Sequence, residues 1–463
     1  MAAVVGLGFA LGGFCLGIRS IGDNSLFTHI ATGRLILDQG SIPSSDPYSF
    51  TAAGAPWVVQ SWLADLTYGV ADRIAGGNGV RVLGGLLVGA LLALVWRLTR
   101  PAKTLVARIV LAALVTLTGI AFFAPRPLVF GLVLLGVTMV VVTEGRDPRW
   151  LIPVMWLWVN LHGSFPLALV ALGCLALGSR FDGDRTREPW RPLLWASLGV
   201  ALGAISPLGP KLLVFPVDLL GKMEILQNVV EWKSPDFATS YARLFLLQVV
   251  VAVLALVRRP TYRAAVPLVV FVAAALLGAR NIPIASIVMV PGMALGLAGL
   301  GGMDGRERGP ATGVVAGVLV AAALVVASSS LSRPAYDLAT YPMGALDWLD
   351  QRGLLGGDNR VATTDATGNL LELQRGTDAK VFFDDRYDMY PLDVSRDYVV
   401  LNRGGESWQE VLDRRGVEHL LWPTSSALGS LVKLSPDWSI VYTDDEGDGV
   451  FVACRRGVAP DCP

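Results

Sequence analysis

Long apolar runs separated by short polar segments make up most of the first 333 residues. Each run approaches the ~20 residues that an α-helix needs to cross a bilayer. The pattern predicts a polytopic α-helical membrane protein with about eleven transmembrane helices. The runs cover residues 2–18, 80–96, 105–123, 128–142, 151–159, 165–177, 193–205, 245–257, 264–279, 284–300 and 314–327.

The polar stretch between the first two runs, residues 19–79, holds a different pattern. An apolar stripe at helical spacing begins at Leu26, shortly after Asp23, and ends before Gly40. We expect an amphipathic helix that lies in the membrane surface with its apolar side toward lipid. Asp23 then stands at the helix N-terminus, where aspartate is a common cap.

Short strand-like and helix-like runs replace the long apolar ones from about residue 334. This rhythm is typical of a soluble α/β domain. Ser407 and Glu410 form a capping-box pattern at one of its helices. We therefore divide the chain into a transmembrane part, 1–333, and a C-terminal α/β domain, 334–463. Strand-like runs cover 360–364, 380–383, 419–422, 438–442 and 449–453, and helix-like runs cover 343–351, 407–415 and 427–434.

The composition agrees with a membrane location. Of 463 residues, 53% are hydrophobic and 16% are charged, and the mean hydropathy is +0.54. Soluble domains carry roughly 25% charged residues. The formal net charge is zero, which gives no general attraction to nucleic acid. The preference for Arg over Lys, with abundant Gly, Ala and Val, suits a high-GC bacterium.

The basic residues predict the orientation. Alternate loops are rich in Lys and Arg, as in 97–108 and 258–263, whereas the short loops of the other set hold only Arg126 and Arg280. The positive-inside rule then places the N-terminus in the cytoplasm of a bacterial cell and the C-terminal domain outside the plasma membrane. All three histidines fall on the outer side.

Two cysteines, Cys454 and Cys462, lie close together near the end of the sequence. If this end lies outside the cytoplasm, they can form a disulfide. Two free thiols on a loose tail fit the spacing equally well.

Several acidic and histidine side chains on the predicted outer side are candidates for acid–base chemistry. Asp23 is the first carboxylate after the first apolar run, and capping and catalysis are compatible roles for it. Glu231, in the second long polar stretch, is a fallback acid, and His29 lies on a polar face of the predicted helix. His162 ends an apolar run and fits a hydrogen-bonded structural histidine better. No His or Cys spacing typical of a zinc site supports a metal.

Arg126 and Arg280 each stand where an apolar run meets the outer surface, beside a proline. Such an arginine either extends to lipid headgroups or binds a phosphate with its planar fork. For Arg280, in ARNIP, we favour phosphate, with Asn281 adding a hydrogen-bond donor. For Arg126 both interpretations remain open.

Two further acidic motifs favour structural roles. Asp46, in SSDPYSFT, is typical of a turn. Asp384, Asp385 and Arg386, in VFFDDRYDMYP, follow a strand-like run. A carboxylate pair there can bind a metal or sugar hydroxyls, but an Asp–Arg pair that fixes the tail against the rest of the protein is favoured.

These residues carry a resemblance to a known family. The chain resembles the GT-C superfamily of polytopic glycosyltransferases in four features. These are an acidic residue in the first outer loop, about eleven spans, Arg280 near the end of a late span, and a soluble outer domain. The first outer loop reads GDNSLFTHIATGRLILDQGSIPSSDPYSFT. The chain also resembles a bacterial branch of this superfamily in four short motifs: LHGSF, EWKSP, ARNIP and VFFDDRYDMYP.

The resemblance implies a membrane enzyme that moves a sugar from a polyprenyl-phosphate donor to an extracytoplasmic glycan, lipid or protein acceptor of the cell envelope, with inversion. Asp23 would act as general base, and Arg280, with Arg126, would hold the leaving phosphate. The family's paired-acid motif, which a divalent metal would use, is reduced here to Asp23 followed by Asn24. The resemblance therefore implies no certain cofactor and leaves a metal in doubt.

Two other functions compete with the transferase. A transporter or lipid flippase typically shows an inverted repeat and polar residues within its spans. Here no repeat is visible, and the polar residues gather on one side. A catalytically inactive envelope-assembly factor is the other alternative, because the second acid of the motif is missing.

Overall fold

Helices dominate the computed structural model, which describes residues 1–301, 311–444, 449–459 and 462. A small sheet near the C-terminus completes the fold. The helices are α1 (Ala2–Gly17), α2 (Asn24–Gln39), α3 (Trp62–Leu98), α4 (Leu105–Gly119), α5 (Pro127–Thr143), α6 (Leu151–Leu161), α7 (Pro166–Phe181), α8 (Arg191–Leu202), α9 (Lys211–Leu220), α10 (Met223–Leu226), α11 (Ser240–Arg258), α12 (Tyr262–Leu277), α13 (Ile282–Gly296), α14 (Ala311–Leu331), α15 (Met343–Asp350), α16 (Asp365–Arg375), α17 (Leu392–Arg403), α18 (Trp408–Arg414) and α19 (Ala427–Leu434). The strands are β1 (Val361–Ala362), β2 (His419–Pro423), β3 (Trp438–Asp444) and β4 (Val450–Arg455).

Each predicted apolar run coincides with a helix, and the chain is a multi-pass membrane protein. The count of eleven spans is not confirmed, because α6 and α8 have only 11 and 12 residues. In the described part, four further apolar helices, α1, α5, α7 and α12, are also shorter than a full span. Five helical stretches are long and apolar enough to cross a membrane: Trp62–Ala102, Leu105–Phe122, Ser240–Arg258, Ala279–Gly296 and Thr312–Leu331.

The first polar stretch is more ordered than a loop. Helix α3 already begins at Trp62 and bends at Ala75 and Gly76 before it enters the apolar run. Gly76 has φ 58° and ψ −154°, a conformation that only glycine adopts at low cost. The predicted loop 19–79 therefore contains α2 and the whole first half of α3.

Helix α2 forms where the sequence predicts it, with Asp23 as its cap. Its apolar side does not face lipid as we expected, because α3 and the tail helix α16 cover it. Gly33 and Gly69 make the crossing of α2 and α3 close, since a Cβ built on Gly33 would lie 2.0 Å from the Asp65 carbonyl oxygen. The backbones of α2 and α3 are in contact at these glycines, and a side chain at either position would push the two helices apart.

The tail forms an α/β unit with the strand order β1-β2-β4-β3. Strands β1 and β2 are parallel, and the other two pairs are antiparallel. The strand predicted at 380–383 does not form, and only Val381 makes an isolated bridge, to Ser49. Helices α16 and α17 were not predicted. Ser407 precedes α18 as expected but accepts no capping hydrogen bond through its side chain, so the predicted capping box is wrong.

The first polar stretch and the tail share one hydrophobic core. Tyr48 and Trp57 pack among buried tail residues such as Phe382 and Tyr390. The Val381 backbone N–H donates to the Tyr48 carbonyl over 2.9 Å, and its carbonyl accepts from Phe50 over 3.0 Å. The boundary at residue 334 stays a prediction, but the tail core is completed by the first polar stretch.

The glycine crossing gives the first testable prediction. Gly33→Ala should lower the free energy of unfolding by roughly 1–3 kcal/mol, because the added methyl group forces α2 away from α3. The matched control is Gly173→Ala in α7, where nothing lies within 4 Å of the added atom. This control should gain roughly 0.5–1 kcal/mol through helix propensity. Thermal melts in detergent would compare them, and equal melting temperatures would refute the crossing.

Candidate active site

A cavity of about 850 Å³ lies where α2, the turn before α3, the starts of α5, α7 and α13, and the loop before α17 meet. Most of the residues predicted to act chemically line this cavity, although they come from distant parts of the sequence. Three of the predicted residues, Asp23, Asp46 and Asp384, lie behind the lining. The predicted residues that line it are His29, Arg126, His162, Glu231, Arg280, Asn281, Asp385 and Arg386.

Arg126 is held between two carboxylates. Its Nε lies 2.6 Å from Asp23 Oδ2, and its Nη1 lies 2.5 Å from Glu231 Oε1. Burial disfavours the charge of Arg126, but Asp23 and Glu231 outweigh burial and hold its pKa above the ordinary value. Arg126 thereby joins the first polar stretch to the second, and both open interpretations of its role stay predictions.

Asp23 occupies the helix N-terminus as predicted, and its Oδ1 accepts the Ser25 backbone N–H over 3.1 Å. Its Oδ2 binds Arg126, so both carboxylate oxygens are engaged within the protein. The role of Asp23 as general base stays a prediction.

The guanidinium of Arg280, unlike that of Arg126, packs against an aromatic ring. Its guanidinium carbon lies 4.1 Å above the ring of Trp232, a favourable cation–π arrangement. No carboxylate of the described residues lies within ion-pair distance of it. The Ala279 backbone N–H donates to the Lys233 carbonyl over 2.9 Å, which brings the ARNIP and EWKSP motifs together. Asn281 Nδ2 donates to the Ala274 carbonyl at the end of α12, so this amide already has a partner.

His29 pairs with a carboxylate that the sequence did not reveal. Its Nδ1 lies 2.7 Å from Asp65 Oδ1, which also accepts from Ser61 Oγ over 3.3 Å. Asp65 is 2% exposed and His29 is 22% exposed. Burial lowers the pKa of His29, but the charge of Asp65 and its hydrogen bond raise the pKa above the ordinary histidine value. Asp65 lies in the first turn of α3, where a carboxylate is common for helix stability alone.

His162 lines the cavity as a neutral group. Its Nδ1 lies 2.7 Å from Ser164 Oγ, as expected of a structural histidine. Burial, with the nearby charge of Arg280, lowers the pKa of His162 to about 3, so the ring is uncharged near neutral pH.

Asp384 and Arg386 form a buried ion cluster with Asp46. Arg386 Nη2 lies 2.6 Å from Asp384 Oδ2 and 2.8 Å from Asp46 Oδ1. Asp46 also accepts the backbone N–H groups of its own turn, from Tyr48 and Ser49. The cluster fixes the tail to the first polar stretch, which is the structural role that the sequence favoured.

Asp385 points away from this cluster and lines the cavity. Burial raises its pKa to about 6, although a hydrogen bond from Ser25 lowers it. Glu372 was not predicted, and Thr28 Oγ1 donates to its Oε2 over 2.6 Å. Burial, together with the charge of Asp384, raises the pKa of Glu372 well above its usual range.

A second cavity, of about 510 Å³, lies at the opposite ends of α5 and α7. Helix α5 has 17 residues, which separates its two ends by about 25 Å, close to the thickness of a membrane core. The histidines and the carboxylates of the first cavity therefore lie on one side of the protein. The second cavity is lined by Arg146, Arg149, Arg191 and Arg263 among others.

The donor set does not fit a metal ion. Among the described residues, no group of three or more His, Cys, Asp and Glu side chains could hold one. Asp23 and Glu231 already bind Arg126. We therefore derive no chemical step through a metal.

The fold is similar to that of a solved oligosaccharyltransferase. The Archaeoglobus fulgidus oligosaccharyltransferase in the apo form aligns with 90% of this chain and 69% of its own, at a TM-score of 0.56 and 10% identity. The arabinofuranosyltransferase AftD from Mycobacteria aligns with 98% of this chain and 42% of its own, at a TM-score of 0.49 and 15% identity. No family model and no curated protein matches the sequence. The fold is GT-C-like, as the sequence resemblance implies.

The buried ion cluster gives the second testable prediction. Arg386→Met should lower the free energy of unfolding by roughly 3–5 kcal/mol, because it leaves two buried carboxylates without their cation. The control is Arg396→Met, which removes a pair with Glu224 that also joins the tail to the membrane part but is largely exposed. An exposed pair contributes little, so the melting temperature of the control should stay close to wild type. Equal losses in both variants would contradict the assignment.

Proposed function

We propose that the protein is a glycosyltransferase that moves a sugar from a polyprenyl-phosphate donor to an acceptor outside the bacterial plasma membrane. One observation carries the proposal: Arg280, without a carboxylate partner among the described residues, lines the same cavity as acid–base groups from three other segments. The GT-C-like fold supports it.

The donor phosphate fits the guanidinium of Arg280. Arginine binds phosphate oxygens through two parallel N–H bonds, and the ring of Trp232 supports the plane of the fork. Leu220 and Leu277 line the cavity and are 63% and 78% exposed. Exposed apolar side chains on this rim suit the prenyl chain of a donor that stays in the membrane.

The chemistry needs one proton acceptor and one cationic group. The acceptor hydroxyl attacks the anomeric carbon, and the bond from this carbon to the phosphate oxygen breaks, with inversion. The phosphate leaves with the electron pair and needs no proton, so the positive charge of Arg280 stabilises it directly. Asp23 and Glu231 hold Arg126 beside this site and offset its positive charge.

The disulfide between Cys454 and Cys462 supports an outer location for the tail. Disulfides persist in oxidising compartments outside the cytoplasm. The second cavity, rich in arginine, would then face the cytoplasm, in keeping with the positive-inside rule.

The third prediction concerns the donor. Arg280→Ala should weaken binding of polyprenyl phosphate in nanodiscs roughly 10–100-fold, because a hydrogen bond between charged groups contributes about 1.5–3 kcal/mol. Arg280→Lys should fall between this variant and wild type, since it keeps the charge and loses the fork.

The matched control is Arg243→Ala, which removes an exposed arginine whose guanidinium donates to the carbonyls of Phe237 and Ala238 and to no other group of the described residues. It should bind polyprenyl phosphate as wild type does. If Arg280→Ala also binds as wild type, the donor site is wrong. Binding without transfer in the wild type would favour the transporter or the inactive assembly factor.

The fourth prediction concerns orientation. In a Cys15→Ala, Cys174→Ala background, an impermeant maleimide should label Ser44→Cys and Ser425→Cys in intact cells. It should label Arg187→Cys only after lysis. All three substituted positions are exposed, so access to the reagent depends on the side of the membrane. The reverse labelling pattern would invert the topology.

A further inference from the structure

We propose that His29, oriented by the buried carboxylate of Asp65, is the base that takes the proton from the acceptor hydroxyl. This inference rests on the proposed glycosyl transfer and deepens it. It departs from the sequence expectation, which gave the role to Asp23.

The pairing leaves one ring nitrogen available. Asp65 accepts at His29 Nδ1 over 2.7 Å, so Nδ1 carries the hydrogen in the neutral ring and Nε2 carries the lone pair. Within the described residues, Nε2 has no hydrogen-bond partner, and His29 lines the large cavity. The imidazole is therefore fixed in the tautomer that can accept a proton from a bound molecule.

The supporting carboxylate is itself fixed. Asp65 is almost fully buried and accepts a second hydrogen bond from Ser61 Oγ. The Gly33–Gly69 crossing holds α2 against α3 one helical turn beyond His29 and Asp65. The opposite side of α2 packs on α16, where Thr28 binds Glu372. Both partners of the pair thus stand on helices that cannot shift independently.

The other carboxylates are less suited to the task. Both oxygens of Asp23 are engaged, by Ser25 and Arg126, and Asp23 does not line the cavity. Asp385 lines it and accepts a hydrogen bond from Ser25, but within the described residues no second ionisable group is paired with it as Asp65 is with His29. Its negative charge instead stabilises the imidazolium that forms when His29 takes the proton.

Three charged groups act most strongly on the proton affinity of His29. Asp65 and Asp385 favour the protonated ring, and Arg126 disfavours it. His162 is neutral, and Glu231 and Arg280 lie farther along the same cavity. The same cavity is also lined by Asp365, Arg386, Tyr387 and Asp388. The net effect raises the pKa of His29, so the free base becomes available as the pH rises through that value. Transfer should therefore increase with pH over this range.

The hydroxyl proton moves to His29 Nε2 while the acceptor oxygen bonds to the anomeric carbon. The bond from that carbon to the phosphate oxygen breaks, and its electron pair leaves with the phosphate at Arg280. The imidazolium, paired with Asp65, returns the proton to water before the next turnover.

The fifth prediction tests this role with the donor and acceptor that the wild type uses. His29→Gln should lower kcat roughly 10²–10⁴-fold, the usual contribution of general base catalysis. Its binding of polyprenyl phosphate should stay unchanged, because Arg280 is intact. Asp65→Asn should lower kcat less and should move the rising part of the pH profile to lower pH, since His29 loses a neighbouring negative charge.

His162→Gln is the matched control, because it removes the other histidine of the cavity and should leave the rising part of the pH profile in place. The inference is wrong if His29→Gln transfers sugar within about threefold of wild type. It is also wrong if Asp23→Asn or Asp385→Asn abolishes transfer while His29→Gln stays active. If a melt shows that His29→Gln does not fold, an unmoved pH profile in Asp65→Asn is the contradicting result. A wild type without any transfer would refute the proposed function instead.

Discussion

The ion cluster of Arg386 with Asp384 and Asp46 is the interaction on which the site depends. Burying these charges costs several kcal/mol per ion, and only close pairing with further hydrogen bonds offsets that cost. Tyr390 supplies one such bond, its hydroxyl donating to Asp384 over 2.6 Å. The pairing leaves little freedom in how the tail meets the first polar stretch. Asp385, next along the chain, is thereby directed into the cavity.

Arg126 and Arg280 both line the cavity but differ in their ionic partners. Arg126 is paired with Asp23 and Glu231, whereas Arg280 lies over the ring of Trp232 and forms no ion pair within the described residues. An aromatic face offsets the desolvation of a guanidinium only in part, so the charge of Arg280 remains available to an anion. Asp65 is paired with His29, and Asp385 lines the same cavity and acts electrostatically on His29. A phosphate would therefore find an arginine that is not already paired with a carboxylate, and a hydroxyl near His29 would find groups that accept protons.

Local patterns in the sequence predicted local structure. They did not predict which side chains from distant parts of the chain form ion pairs. The apolar runs, the cap at Asp23 and the helix 427–434 follow from spacing that any short window shows. Asp65 pairs with a histidine 36 positions earlier, and Asp46 pairs with an arginine 340 positions later. Helix α16 was missed because its buried polar residues, such as Glu372, obscure the apolar stripe. No single segment encodes these partners.

The same limit explains why the sequence and the fold lead to different proposals for the general base. Position after the first apolar run singled out Asp23, and the fold confirms the cap that this position implies. A base, however, needs a free lone pair beside the substrate and a group that orients it. Asp23 uses both oxygens to hold a helix and an arginine, whereas His29 keeps one nitrogen open to the cavity and gives the other to Asp65. Geometry therefore separates two residues that are only six positions apart and that the sequence places on the same helix.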